Sequence, residues 1–195
     1  MPMKIVILAR HGAHAEVGHV LSGRSEIALS PRGQAEAVAL AQALDGTPIA
    51  SLHASPRRRA RDTAAPLGER RGLAVEIAPA LDEIDFGAFT GRSFAELDSD
   101  PDWFRWNAER ATARCPDGET MAEASARAAG YLNSLAPDRL PALCVSHCDV
   151  IRGLVARQLG LGFDRMFALE CDPASRTTLD LDSGRLVALN ERVRP

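Results

Sequence analysis

In "ILARHGAHAEVG", residues 7 to 18, an arginine and a histidine stand between an apolar run and a glycine. The pattern returns in "ALCVSHCD", where His147 follows another apolar run. A third run ends in the basic stretch "HASPRRRARDT". Imidazole attacks or carries protons near neutral pH, and guanidinium forks fit phosphate and carboxylate oxygens. In open α/β sheets, ligands bind beyond the carboxyl ends of the strands. Neighbouring parallel strands would therefore bring His11 and His147 to one crevice. Of Arg57, Arg58, Arg59 and Arg61, only the one or two nearest the strand end would reach it. Two imidazoles with convergent guanidiniums suit a dianion such as phosphate. Each piece also has a bland reading: a lone histidine after a strand is structural more often than catalytic, and an arginine run is usually a solvated helix face.

The elements that must position these residues alternate. "KIVILA" reads as a strand buried on both faces. Ser30-Pro31 is a helix start, with Ala37, Leu40, Ala41 and Leu44 on one apolar face. "PIASLHAS" is the next strand, and Ser55-Pro56 repeats the start signal ahead of a basic helix from Arg57, which Pro66 should kink or end. "LAVEIA" reads as a third strand near an edge. Residues 82 to 119 are irregular, with short helical stretches around "DWFRWNAER". Thr120 and Glu123 form a capping box opening a helix to about Leu135, with Met121, Ala124, Ala128, Tyr131 and Leu135 inward. "ALCVS" is a buried strand, "DVIRGLVARQLG" a helix stopped at Gly160, and "RTTLDLDSGRLVALN" a hairpin turning near Ser183-Gly184. Strand–helix alternation predicts an α/β, three-layer sandwich with a mainly parallel central sheet flanked by helices. A single domain over residues 1–195 is expected, with an irregular, substrate-covering insertion at about 84–119.

Composition narrows the function classes. The 195 residues carry a net charge of −3, which provides no global field for nucleic acid or an anionic membrane. The cysteines Cys115, Cys144, Cys148 and Cys171 contain no CxxC pair, which fits a reducing compartment. The first apolar run, Ile5 to Ala9, is too short for a signal peptide or a membrane span. A cytoplasmic protein is expected, without nucleic-acid or membrane partners; a homodimer stays open.

Five ordered blocks, spread over about residues 4 to 190, resemble the histidine phosphatase superfamily, the group that includes phosphoglycerate mutases. Arg10-His11-Gly12 matches its signature. "VLSGRSEIALSPRGQAEA" resembles its second block and "SPRRRARDTA" its third, with Arg59 at the conserved-type arginine. "LDEIDFGAFTGRS" resembles the block that carries the acid, here Glu83. "PDGET" and "VSHCDVIRGLV" resemble the last, ending on His147.

The resemblance implies a phosphomonoester hydrolase acting on a small phosphorylated metabolite, with inorganic phosphate as product. His11 would be the nucleophile, forming a phosphohistidine. Arg10, Arg59 and a protonated His147 would hold the phosphoryl oxygens. Glu83, with a raised pKa and partly buried beside Phe86 or Phe89, would protonate the leaving oxygen and then activate water; Asp82 and Asp85 are the other carboxyls within reach. Gly12 would let the backbone pass close to phosphate. Ser22, Gly23, His14 and Cys148 would line the substrate site, with backbone amides near Cys148 adding to it. No cofactor or metal is implied, because arginines supply the positive charge.

Three positions depart from the family pattern: His14 replaces a usual threonine, Val17 a usual asparagine, and Cys148 a frequent glycine. Trp103, Phe104 and Trp106 either cap the pocket or pack the insertion, while His53 and Cys144 read as ordinary strand residues. A phosphoglycerate-type phosphomutase and a non-catalytic phosphate-binding module are the alternatives. The first would need a second anion site, for which the insertion offers Arg92, Arg105, Arg110 and Arg114.

Overall fold

The computed structural model describes residues 3 to 193. In chain order the elements are β1 (Ile5–Arg10), α1 (Pro31–Ala43), β2 (Ser51–Ala54), α2 (Arg58–Arg71), β3 (Val75–Ile77), α3 (Phe94–Leu97), α4 (Pro101–Ala108), α5 (Met121–Ser134), β4 (Ala142–Ser146), α6 (Cys148–Leu159), β5 (Arg176–Asp180) and β6 (Arg185–Glu191). The strands form one six-stranded sheet in the order β3-β2-β4-β1-β5-β6. β3, β2, β4 and β1 pair parallel, and β5 and β6 add antiparallel. Helices cover both faces, so the layered α/β architecture stands as expected, with β3 at the edge.

The continuous apolar runs follow from burial on both faces. Val6 and Leu8 of β1 pack toward α5 and α6 with Met121, Ala124 and Val155. Ile7 and Ala9 point the other way, against Leu40, Ala60 and Leu67 of α1 and α2. Strand β4 divides the same way, with Ala142 and Cys144 on one side and Leu143 and Val145 on the other. No helix among the described residues is long and apolar enough to cross a membrane.

Several local expectations are corrected. Ser30 caps α1 through the Gly33 amide at 3.1 Å. Ser55 does not do the same for α2: the N-cap is Arg57, without a side-chain bond, and the helix begins at Arg58. Pro66 does not end α2, which runs through it to Arg71 and stops at Gly72 in the left-handed conformation. The carbonyl it leaves without a helical donor is that of half-buried Asp62. Helix α5 has the expected Thr120–Glu123 capping box and runs to Ser134 with Leu135 as its buried C-cap; it buries Leu132, whereas Tyr131 is half-buried with its hydroxyl 2.9 Å from His53 Nδ1. Within the irregular stretch, Pro101–Ala108 is helical as expected, and Ser93 and Glu96 box a further short helix, α3.

Candidate active site

The register of β1 on β4 brings the two histidines together. Arg10 lies opposite Ser146, and the His11 amide donates to the Ser146 carbonyl at 3.0 Å. The next residue on each strand is a histidine, and the two rings sit 5.2 Å apart between centroids. Strand β2 is on the other side of β4, so the junction after it delivers Ser55 and Arg59 to the same point.

His11 is buried, with Nδ1 2.8 Å from the Gly12 carbonyl. A carbonyl only accepts, so Nδ1 carries the proton and Nε2 keeps its lone pair. Burial, then the charges of Arg59 and Arg10, push the His11 pKa well below its usual value, which keeps the ring neutral.

His147 is fully buried; its Nδ1 is 3.1 Å from Arg59 Nη2 and its Nε2 2.7 Å from Ser55 Oγ. A guanidinium only donates, so Nδ1 accepts and Nε2–H donates to Ser55, whose hydroxyl donates onward to Asp82 at 3.2 Å. Burial, with Arg59 and His11 adding to it, lowers the His147 pKa far below the usual range. These partners fit a neutral ring, with a guanidinium on its acceptor and Ser55 on its donor, in place of the expected protonated His147.

Arg59 is the one arginine of its run buried in the crevice, donating to the carbonyls of Gly23 at 2.6 Å and Ser25 at 3.0 Å. Arg57, Arg58 and Arg61 pair instead with Glu26, Asp82 and Asp62. Arg10 donates to the Cys171 carbonyl at 2.6 Å. The Nε atoms of Arg10 and Arg59 and Nδ1 of His14 are buried without partners, and no ion pair among the described residues involves either arginine. Two unpaired guanidiniums beside orphaned donors are costly unless an anion fills the space between them.

Glu83 is buried in the same wall region, its Oε2 3.7 Å from His147 Nδ1 and its Oε1 accepting from the Ile84 amide at 3.0 Å. Burial and then the nearby Asp149 charge raise its pKa to about 8, against the pull of Arg59. Two guanidiniums hold its backbone carbonyl, Arg24 and Arg127, each at 2.9 Å. The other two carboxyls are engaged elsewhere. Asp82 pairs with Arg57 and accepts from Ser55, and Asp85 pairs with Arg24 outside the cavity.

Arg10, His11, Arg59 and Glu83 line one cavity of about 280 Å³ that also takes in His14, Val17, Ser22, Gly23 and Cys148, with His147 buried behind this wall against Arg59. The His14 ring lies 5.3 Å from that of His11, and burial, then Arg59, lowers its pKa to about 4. Ser22 donates to Glu16 at 2.6 Å. Gly12, directly after His11, has a packing role. A Cβ there would stand 2.6 Å from the Gly33 carbonyl oxygen, so the glycine lets the His11 loop lie against the first turn of α1. Trp103 lines the cavity, Trp106 is fully buried behind it, and Phe104 is exposed. Sequence reasoning missed Ser55, Arg24 and Arg127 as supports. It also missed Asp149, Arg152 and Phe167 in the outer wall, because none of these stands at a strand end.

A mainly parallel α/β sheet whose strand ends set His11, two guanidiniums without ion pairs and a protonated carboxyl around one hollow, with the buried His147 packed against them, defines a phosphate-processing enzyme. Residues 6–192 match the family model of the histidine phosphatase superfamily (branch 1), and the chain belongs to that superfamily. The glucosyl-3-phosphoglycerate phosphatase of Mycobacterium tuberculosis is 33% identical over 175 residues, covering 83% of this chain and 78% of the relative. Phosphoserine phosphatase 1 of Hydrogenobacter thermophilus is 29% identical over 190 residues, 94% of this chain and 90% of that one. A solved complex of the mycobacterial glucosyl-3-phosphoglycerate phosphatase with inorganic phosphate superposes with a TM-score of 0.82 at 31% identity, covering 96% of this chain and 97% of that one. The protein is a phosphoric monoester hydrolase of this superfamily.

Proposed function

We propose that the protein hydrolyses a small phosphorylated metabolite through a covalent phosphohistidine on His11. The observation that carries this reading is the Nδ1–H bond from His11 to the Gly12 carbonyl, which leaves Nε2 as a free nucleophile beside two unpaired guanidiniums. Nε2 attacks phosphorus in line, and the bond to the leaving oxygen breaks. Arg10 and Arg59 hold the phosphoryl oxygens as charge redistributes, and once the phosphoryl group draws Arg59 off His147 Nδ1, that ring takes up a proton and becomes a third donor. Glu83, neutral below about pH 8, protonates the departing alkoxide. The carboxylate so formed then takes a proton from water, which attacks the phosphohistidine and releases inorganic phosphate. His14, Ser22, Gly23 and Cys148 complete the wall around the substrate.

The cavity supports hydrolysis over phosphomutase chemistry. Of the insertion's arginines only Arg110 lines it, and that guanidinium pairs with Asp149 at 3.1 Å while lying between the rings of Trp106 and Phe167. A second phosphate would find its charge already taken.

The test is His11→Ala with p-nitrophenyl phosphate and a panel of phosphorylated metabolites that includes phosphoserine and glucosyl-3-phosphoglycerate. Turnover should vanish in the variant, and an acid quench of the wild type should trap acid-labile phosphate on His11. Near-native turnover by His11→Ala removes the mechanism; phosphate binding without turnover in the wild type favours a non-catalytic module.

A further inference from the structure

We propose that Cys148 and Cys171 are an oxidisable thiol pair whose disulfide, formed by a hydroperoxide, disables the phosphate cavity. Cys148 follows His147 directly, opens α6 and forms part of the cavity wall, so a small oxidant entering the site meets it. Cys171 is buried on the segment that leads into β5. The Cys148 thiol donates to the Cys171 carbonyl oxygen at 3.7 Å, and both cysteines are reduced. The segments that carry them already meet, so a bridge needs only a local shift.

Chemistry separates this pair from the other two thiols. Burial raises Cys115 to about 12 and pushes Cys144 higher still, so neither forms a thiolate near neutral pH. Cys148 moves the opposite way, chiefly through the neighbouring Cys171 side chain, with Arg10 and Arg152 adding favourable charge. The Cys148 thiolate attacks the peroxide O–O bond, giving the sulfenic acid and hydroxide. The Cys171 sulfur then displaces the sulfenic oxygen as its thiol proton leaves, and the disulfide forms with one water released. Two thiols are oxidised and one hydroperoxide is reduced.

The consequence for the site follows from Arg10, whose guanidinium is anchored on the Cys171 carbonyl at 2.6 Å. A bridge draws the Cys171 segment toward the start of α6. That displaces the arginine and removes Cys148 from the cavity wall. The loss of turnover rests on the reading of this cavity as the phosphate site; the formation of the bond does not.

The full chain is treated with hydrogen peroxide under native conditions, alkylated in denaturant and mapped by peptide mass spectrometry. We expect a 148–171 disulfide with Cys115 and Cys144 alkylated. Turnover of p-nitrophenyl phosphate should fall at least tenfold and return with dithiothreitol. Cys171→Ala, compared with its own untreated activity, should form no disulfide and should leave Cys148 as oxyacids. Wild-type protein that keeps both thiols free, or that forms the bond with undiminished turnover, overturns the proposal. A mapped disulfide in a protein that turns over nothing even when reduced indicts the phosphatase reading and leaves the thiol pair standing.

Discussion

At the scale of the residue, two opposite pKa displacements coexist within one cavity. Burial disfavours every charge, so it holds the Glu83 carboxyl protonated to about pH 8 and strips the proton from His11 well below its usual value. Both groups therefore sit in their reactive forms over the same interval. The rate profile of kcat/KM should be flat from about pH 6 to near pH 8 and fall above it as Glu83 ionises. Glu83→Gln should lose about 100- to 10,000-fold in turnover and lose that alkaline limb; a variant that keeps the limb assigns it to another group. Linkage fixes the sign for stability. Between its ordinary value and about 8, Glu83 binds more protons folded than unfolded, so its burial weakens the fold as pH rises through that window. Glu83→Gln should thus gain about 2–4 kcal/mol at pH 8 and little at pH 4, as read by urea unfolding. The acid was legible in the sequence only through its surrounding block. The decision against Asp82 and Asp85 came from which arginines they pair with, and no local pattern encodes that.

At the scale of the element, the site depends on two close approaches. A Cβ at Gly33 would lie 2.0 Å from the Ala13 carbonyl oxygen, so Gly33→Ala must push the His11 loop off α1. We expect a loss of about 1–3 kcal/mol, measured by thermal melts, together with reduced turnover. The second approach is the junction after β2. Ser55 resembles a helix cap in sequence, yet its hydroxyl serves His147 and Asp82. Ser55→Ala leaves the buried Nε2–H without an acceptor and should cost about 1–3 kcal/mol. If Ser55 only packs, kcat/KM will not move with stability; as a positioning group it should take kcat/KM down about tenfold, with the loss in kcat. Strand positions were readable from apolar runs, because burial on both faces demands them. The fate of a cap residue was not, since Ser-Pro reads alike whether its hydroxyl turns to its own helix or to a neighbouring strand.

At the scale of the whole molecule, a chain of net charge −3 keeps two guanidiniums without ion pairs in a histidine-lined cavity. Phosphate should bind there and stabilise the fold, by about 2.7 kcal/mol at a hundred times its Kd. A thermal shift series in phosphate checks this, and an unmoved Tm argues against the anion site. Residue order alone determined that strands and helices alternate, that histidines terminate two strands, and that arginine follows a third. Those features are local: each is a matter of apolar runs, caps and the next residue along. Only tertiary structure decided that β4 lies between β1 and β2, which is what sets His147 beside His11 and Arg59 beside both. It also decided the protonation of the groups gathered there, because burial and neighbouring charge exist only once distant segments have met.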